Sequence, residues 1–299
     1  MKFVTFSLNE EENIGIYNKA MTEIIDIKFL NLTKKYCDMS ELIKNIHADD
    51  LELLQKASIK DIDSKEGVYK ISDIKLCAPI VKPERDVLCL GLNYVEHVGE
   101  TSRSFKDDSI NIPEYPVYFS KRVNRIIGSE EEIDSHEGLI EKLDYESELA
   151  IIIGKNGINI PKEKAEEYIF GYSIMNDVSA RDFQQRHGQW YKGKSFDTFT
   201  VLGPHIVHKS EVKFPVELDI CSRVNGELRQ NSNTKNLIFD IPTIIHDLSL
   251  GMTLKAGDII ATGTPSGVGM GFNPPKFLKK GDIVECEVEG IGILRNRVK

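Results

Sequence analysis

The segment Asp144-Tyr145-Glu146-Ser147-Glu148-Leu149-Ala150-Ile151-Ile152-Ile153-Gly154 constrains this chain more than any other. Its isoleucine run fits a strand that enters an apolar interior. Alternate side chains of a strand share a face, so Glu146 and Glu148 point the same way, roughly 7 Å apart at their Cα atoms. Two like charges beside buried isoleucines are costly unless something positive lies between them. A hard divalent cation meets that need, because carboxylate oxygens are its preferred ligands. An edge strand whose polar face is solvated meets it as well. These residues alone leave both readings open.

A third carboxylate raises the same question. Asp177 lies in Ser173-Ile174-Met175-Asn176-Asp177-Val178-Ser179-Ala180-Arg181-Asp182, where an apolar strand gives way to a helical pattern that runs to His187 and stops at Gly188. It could cap that helix, or it could belong to a site, since strand-to-helix junctions often collect active-site side chains.

Three more stretches carry candidate chemistry. In Gly91-Leu92-Asn93-Tyr94-Val95-Glu96-His97-Val98-Gly99-Glu100, which follows the buried strand pattern Val87–Gly91, a helix would put His97 and Glu100 on one face. A carboxylate beside an imidazole orients it and raises its basicity, as proton abstraction requires. A surface His–Glu pair is the plain alternative. Gly188-Gln189-Trp190-Tyr191-Lys192-Gly193-Lys194-Ser195 matches the phosphate-loop expression letter for letter, but a polar helical pattern precedes it and a strand-like one follows. A phosphate loop needs the reverse, so a nucleotide-binding protein is only a distant alternative. Ile259-Ile260-Ala261 runs into Thr262-Gly263-Thr264-Pro265-Ser266-Gly267-Val268-Gly269, whose backbone N–H groups and Thr264 hydroxyl could bind a carboxylate or simply form a tight turn.

The remaining chain sets bounds. Residues 1–76 read as a small polar unit with short strands at Phe3–Phe6 and Ile14–Tyr17 and a helix start capped by Ser40. The connector Ala78-Pro79-Ile80-Val81-Lys82-Pro83 leads into a β-rich unit, residues 77–299, with few helices. Within it, Thr101–Asn111 and Ser129–Asp134 read as surface loops. Asn225-Gly226 reads as a two-residue hairpin turn, and Ile283–Val288 and Ile293–Val298 as closing strands. A formal net charge of −9, from 38 basic and 47 acidic residues among 299, argues against nucleic-acid partners. Five dispersed cysteines offer no disulfide framework or zinc cluster. No signal peptide or membrane span is evident, and the expectation is a cytoplasmic protein.

In order along residues 75–299, these segments resemble the fumarylacetoacetate hydrolase family, in its shorter acylpyruvate hydrolase, oxaloacetate decarboxylase and hydroxyheptadienedioate isomerase forms. The resemblance rests on Gly91-Leu92-Asn93-Tyr94 with His97 and Glu100, on Asp144 to Ala150, on Asn176 to Asp182, on Gly193-Lys194-Ser195-Phe196-Asp197 and on Ala261 to Gly267. It implies an α+β, β-rich fold: a mixed β-roll catalytic domain with a small N-terminal domain, usually a homodimer. It also implies Mg²⁺ or Mn²⁺, with Ca²⁺ as a non-native occupant, bound at the positions matching Glu146, Glu148 and Asp177.

By the same resemblance the substrate is a small 2-oxo acid of the acylpyruvate type. Lys194 would stabilise an enolate, and His97 with Glu100 would activate water for C–C cleavage. Arg181, Gln184 and Thr264 match substrate-lining positions, and the stretch after Glu100 resembles a lid. Decarboxylation and isomerisation share the enolate step, so these motifs do not separate them. Longer members carry a further ligand aspartate where this chain has Leu88-Cys89-Leu90. That difference implies water in the vacant ligand place and a substrate other than fumarylacetoacetate itself.

Overall fold

The computed structural model describes residues 1–59 and 66–299. Its frame is a mixed sheet whose central strand is Ser147–Ile153. That strand pairs antiparallel with Ile169–Asp177 on one side and with Ile259–Ala261 on the other. Beyond Ile259–Ala261 the sheet continues through a parallel neighbour, Val87–Gly91, and ends at Val117–Lys121. In the other direction Ile169–Asp177 pairs with Thr200–His208, which pairs with Lys2–Leu8. Glu11–Tyr17, Glu23–Asp26 and Val68–Lys70 complete that side, so the amino-terminal strands extend the same sheet.

Alternation along the central strand sorts the core into two layers. Leu149, Ile151 and Ile153 pack with Ile220, Val224, Val284, Val288, Leu294 and Val298. Those residues belong to a second sheet built from Glu227–Asn233, Asp219–Val224, Ile283–Val288, Gly292–Val298 and Glu132–Ile133. Ala150 and Ile152 face the opposite layer, which holds Leu42, Ile43 and Leu54 from the amino-terminal helices. The molecule is accordingly α+β and β-rich. The hairpin at Asn225-Gly226 is present, with φ of 52° and 80° as a two-residue turn of this kind requires.

Three local expectations change. The first α-helix, Met39–Asn45, is capped by Asp38 rather than Ser40: Asp38 accepts from Glu41 N at 2.7 Å, and Glu41 accepts at 2.9 Å from N of Cys37, the residue before the cap. The stretch from Thr101 is no loop at first, because the helix Val95–Phe105 runs through it and stops at Lys106 in the left-handed region. Its buried face, His97, Val98, Glu100 and Thr101, explains the extra turn. Within the acidic stretch Ser129–Asp134, Glu132–Ile133 joins the second sheet as a strand. All five cysteines are free, and no helix among the described residues is long and apolar enough to cross a membrane.

Candidate active site

Strand pairing collects the three carboxylates. Ser147 stands opposite Asn176 and Glu148 opposite Met175. At the end of that ladder Asp177 N donates to Glu146 O at 2.9 Å, and Glu146 N donates to Asn176 Oδ1 at 3.0 Å. Glu146, Glu148 and Asp177 thereby each bring one oxygen within 4.8 Å of the others, and all three are buried. The edge-strand reading fails because this strand has a neighbour on each side. The cap reading of Asp177 fails as well. Asp177 ends its strand, and the helix Arg181–Arg186 starts after Ala180 with no side-chain cap.

Buried cations interleave with these acids. Lys194 Nζ donates to Glu146 Oε2 and to Asp177 Oδ2, both at 2.7 Å. An Arg181 Nη lies 2.7 Å from Glu146 Oε1, its Nε donates to Asp144 Oδ2 at 2.9 Å, and its other Nη donates to Gln184 Oε1 at 3.0 Å. Lys121, fully buried, donates to Asp177 Oδ1 and, at 3.2 Å, to Val178 O. The electrostatics follow from this pairing. Burial alone would raise the Glu146 carboxyl, but Lys194 and then Arg181 outweigh it and hold it below its ordinary range. Burial would likewise lower Lys194, yet Asp177 and Glu146 raise it.

Glu148 is the exception. Its Oε2 accepts from Gly263 N at 2.8 Å, while its buried Oε1 has no hydrogen-bond partner among the described residues. Burial first, then Asp177 and Glu146, push this carboxyl well above its ordinary value. A buried carboxylate oxygen left without a donor beside two more carboxylates is the environment a hard divalent cation completes. The donor set is all oxygen, which suits Mg²⁺ or Mn²⁺ better than a softer metal.

Glu146, Lys194 and Arg181 open on a small cleft. Across it, His97 Nδ1 lies 2.9 Å from Glu100 Oε2, both side chains on the buried face of their helix. With Nδ1 held by the carboxylate, Nε2 is left for the cleft, 3.5 Å from Thr101 Oγ1. Gln184 and Thr264 also line the cleft, and Phe119 and Trp190 form an aromatic wall with ring centroids 5.4 Å apart. Thr264 Oγ1 accepts from Gln230 Nε2 at 2.7 Å and donates to Ser147 O at 3.0 Å. The phosphate-loop match resolves as geometry: its lysine is on a short helix, Tyr191–Lys194, preceded by the helix Arg181–Arg186, and is turned onto carboxylates. A phosphate loop would instead follow a buried strand and open a helix.

Two further residues of this cluster escaped the sequence pattern. Asp144 heads a motif of the resemblance but is assigned no role by it, and Lys121 carries no motif. A lysine closing the half-buried strand Val117–Lys121 was the one available signal, and such strand-end lysines are too common to single out.

Residues 86–299 match the family described as Fumarylacetoacetate (FAA) hydrolase C-terminal. Oxaloacetate tautomerase YisK of Bacillus subtilis (strain 168) is 48% identical over 231 residues, 77% of this chain and 75% of the relative. Among solved structures, the fumarylacetoacetate hydrolase EaFAH of Exiguobacterium antarcticum superposes with a TM-score of 0.82 at 38% identity, covering 100% of this chain and 99% of the other. The maleylpyruvate hydrolase of Sphingobium sp. SYK-6, solved with manganese(II) and pyruvate, superposes with a TM-score of 0.75 at 27% identity, covering 100% and 98%. By sequence and by fold, this chain belongs to the fumarylacetoacetate hydrolase family.

Proposed function

We propose that this protein is a divalent-metal-dependent enzyme that enolises a short 2-oxo acid, and that it interconverts the keto and enol forms of an oxaloacetate-type diacid. The observation that carries the reading is the convergence on one small cleft of Lys194, Arg181 and the His97–Glu100 pair, beside a carboxylate cluster that contains an unpartnered oxygen. Glu146, Glu148 and Asp177 would hold Mg²⁺ or Mn²⁺. Such an ion supplies Lewis acidity toward the 2-oxo oxygen and its neighbouring carboxylate, which acidifies the hydrogens on C3.

The protein's own groups do the rest. Lys194 presents positive charge where the 2-oxo oxygen gains electron density, from a water-poor site in which that charge is strongly felt. His97, steered by Glu100 through Nδ1, takes the proton from C3 at Nε2, and a proton returned to the 2-oxo oxygen gives the enol. Arg181, braced by Gln184, supplies a second cation for a carboxylate. The relation to a tautomerase at 48% identity supports this reading.

A second reading keeps the site and changes the bond broken. His97 and Glu100 would activate water, and the chain would cleave an acylpyruvate-like 2,4-dioxo acid. Its likeness to a maleylpyruvate hydrolase favours that possibility. Oxaloacetate decarboxylation and isomerisation of 2-hydroxyhepta-2,4-diene-1,7-dioate rest on the same enolising step. The test is to follow ultraviolet loss of the oxaloacetate enol with purified protein and Mn²⁺, with pyruvate release and acetopyruvate cleavage measured in parallel. Acceleration of enol decay over the buffer blank, removed by EDTA, is expected. Enol decay at the blank rate together with rapid acetopyruvate cleavage would replace tautomerisation by hydrolysis.

A further inference from the structure

The glycine-rich segment that follows strand Ile259–Ala261 has the right chemistry to bind a substrate carboxylate through its backbone N–H groups. In the folded protein it binds carboxylates of the chain itself. Gly263 N donates to Glu148 Oε2 at 2.8 Å, and Gly267 N donates to Glu100 Oε1 at 2.9 Å. Gly269 N and Met270 N donate to the two oxygens of Asp144 at 2.6 and 3.0 Å. Each carboxylate has a second task. Glu148 belongs to the acidic triad, Glu100 Oε2 meets His97 Nδ1, and Asp144 Oδ2 accepts from Arg181 Nε.

We infer that the loop Gly263–Gly271 is a template that aims two parts of the site at once, with Asp144 and Gly271 as positioning residues for Arg181 and His97. The physical reason is that a carboxylate held at both oxygens cannot rotate, so the group bonded to its far side inherits that orientation. A free glutamate samples several rotamers, and holding one in place during each turnover would otherwise cost side-chain entropy. Close approach demands the glycines. A Cβ on Gly269 would stand 2.6 Å from Asp144 Oδ1, and one on Gly271 would stand 1.7 Å from Glu100 Oε1. At Gly271 the requirement is for space, and the three nearest atoms all belong to the Glu100 side chain, which ties it to that partner. The loop is also fastened to the helix that carries His97, through Ser104 Oγ donating to Met270 O at 3.1 Å.

The kinetic arm of the test rests on the enolising reading, and the spectroscopic arm does not. With ¹⁵N-labelled histidine, Gly271→Ala and Glu100→Ala should move the His97 imidazole signals alike, whatever the protein's activity. In kinetics, Gly271→Ala should lower kcat about as far as Glu100→Ala does, roughly 10- to 100-fold, with KM and calorimetric Mn²⁺ affinity held within about twofold. In the Glu100→Ala background, Gly271→Ala should cost nothing further. Asp144→Asn should instead raise KM and leave the His97 signals in place. Multiplying losses in the double variant, its failure to fold, a fall in Mn²⁺ affinity alongside kcat, or unmoved His97 signals in Gly271→Ala would each overturn the template. Wild-type protein inactive on 2-oxo acids but with the expected His97 shifts would remove the enolising reading and leave the template standing.

Discussion

Two regions of this protein bury ionisable side chains, and they do so in opposite ways. Around the central strand, Asp144, Glu146, Glu148 and Asp177 are interleaved with Lys121, Arg181 and Lys194. On the strand Thr200–His208, two places along the same sheet, His205 is buried with neither ring nitrogen hydrogen-bonded among the described residues. Its ring meets the Tyr17 ring edge-on at 5.3 Å, and burial holds its pKa down to about 3. His208, at the end of that strand, is held to about 4 chiefly by burial. Desolvation acts on both regions alike. In the imidazole region it wins, and the groups pack as neutral rings. In the carboxylate region charge survives because opposite charges arrive from other strands and helices, except at Glu148, whose Oε1 has no hydrogen-bond partner among the described residues.

The largest effect should come from emptying the acidic side. Glu146→Gln combined with Glu148→Gln, in which the amide oxygen at position 146 still accepts from Lys194 or Arg181, should abolish Mn²⁺ binding in calorimetry. Retained affinity would mean that the triad is not the metal site. Next, His97→Gln should reduce turnover by roughly 10²- to 10⁴-fold with Mn²⁺ affinity unchanged. A parallel loss of metal affinity would place His97 in the ion's shell instead.

Removing a cation tests the pairing from the other side. Lys121→Met leaves Asp177 with one partner fewer, and urea unfolding of the metal-free protein should show a loss on the order of 3 kcal/mol, partly recovered in saturating Mn²⁺. A change below about 0.5 kcal/mol would make Lys121 a bystander. The smallest effect belongs to the imidazole region. His205 is held at about 3 against an ordinary 6.5, so on acidification the unfolded chain takes up that proton first. Its contribution is therefore whole above pH 6.5 and is lost as pH falls toward 3, by about 1.4 kcal/mol per pH unit. His208 adds a slope of the same sign, so between pH 7 and pH 5 His205→Leu should lower the pH dependence of unfolding by about this amount.

Much of this site was legible in the sequence because strand periodicity is local. It put Glu146 and Glu148 on one face, and helical spacing put Glu100 beside His97. The resemblance added Asp177, Lys194, Arg181, Gln184 and Thr264 as candidates. The structure brings all of these to one cleft or its floor. Asp144 and Lys121 were not legible, since an aspartate heading a strand and a lysine ending one are ordinary until their partners are known. For the glycine-rich loop the sequence leaves carboxylate binding and a plain tight turn open; it binds the protein's own carboxylates, and no local pattern says which carboxylates fold against a loop more than a hundred residues away.

What the sequence determined by itself was the set of chemical types, their spacing along each element and the family. Those follow from side-chain identity and from the fixed periods of helix and strand. Only the tertiary structure decided which charges neutralise one another, that a buried Glu148 oxygen is left without a partner, and that Glu100 and Asp144 are gripped from behind by one loop. Electrostatic pairing and close steric approach depend on distances of a few ångströms between remote segments, and those distances exist only once the strands have paired.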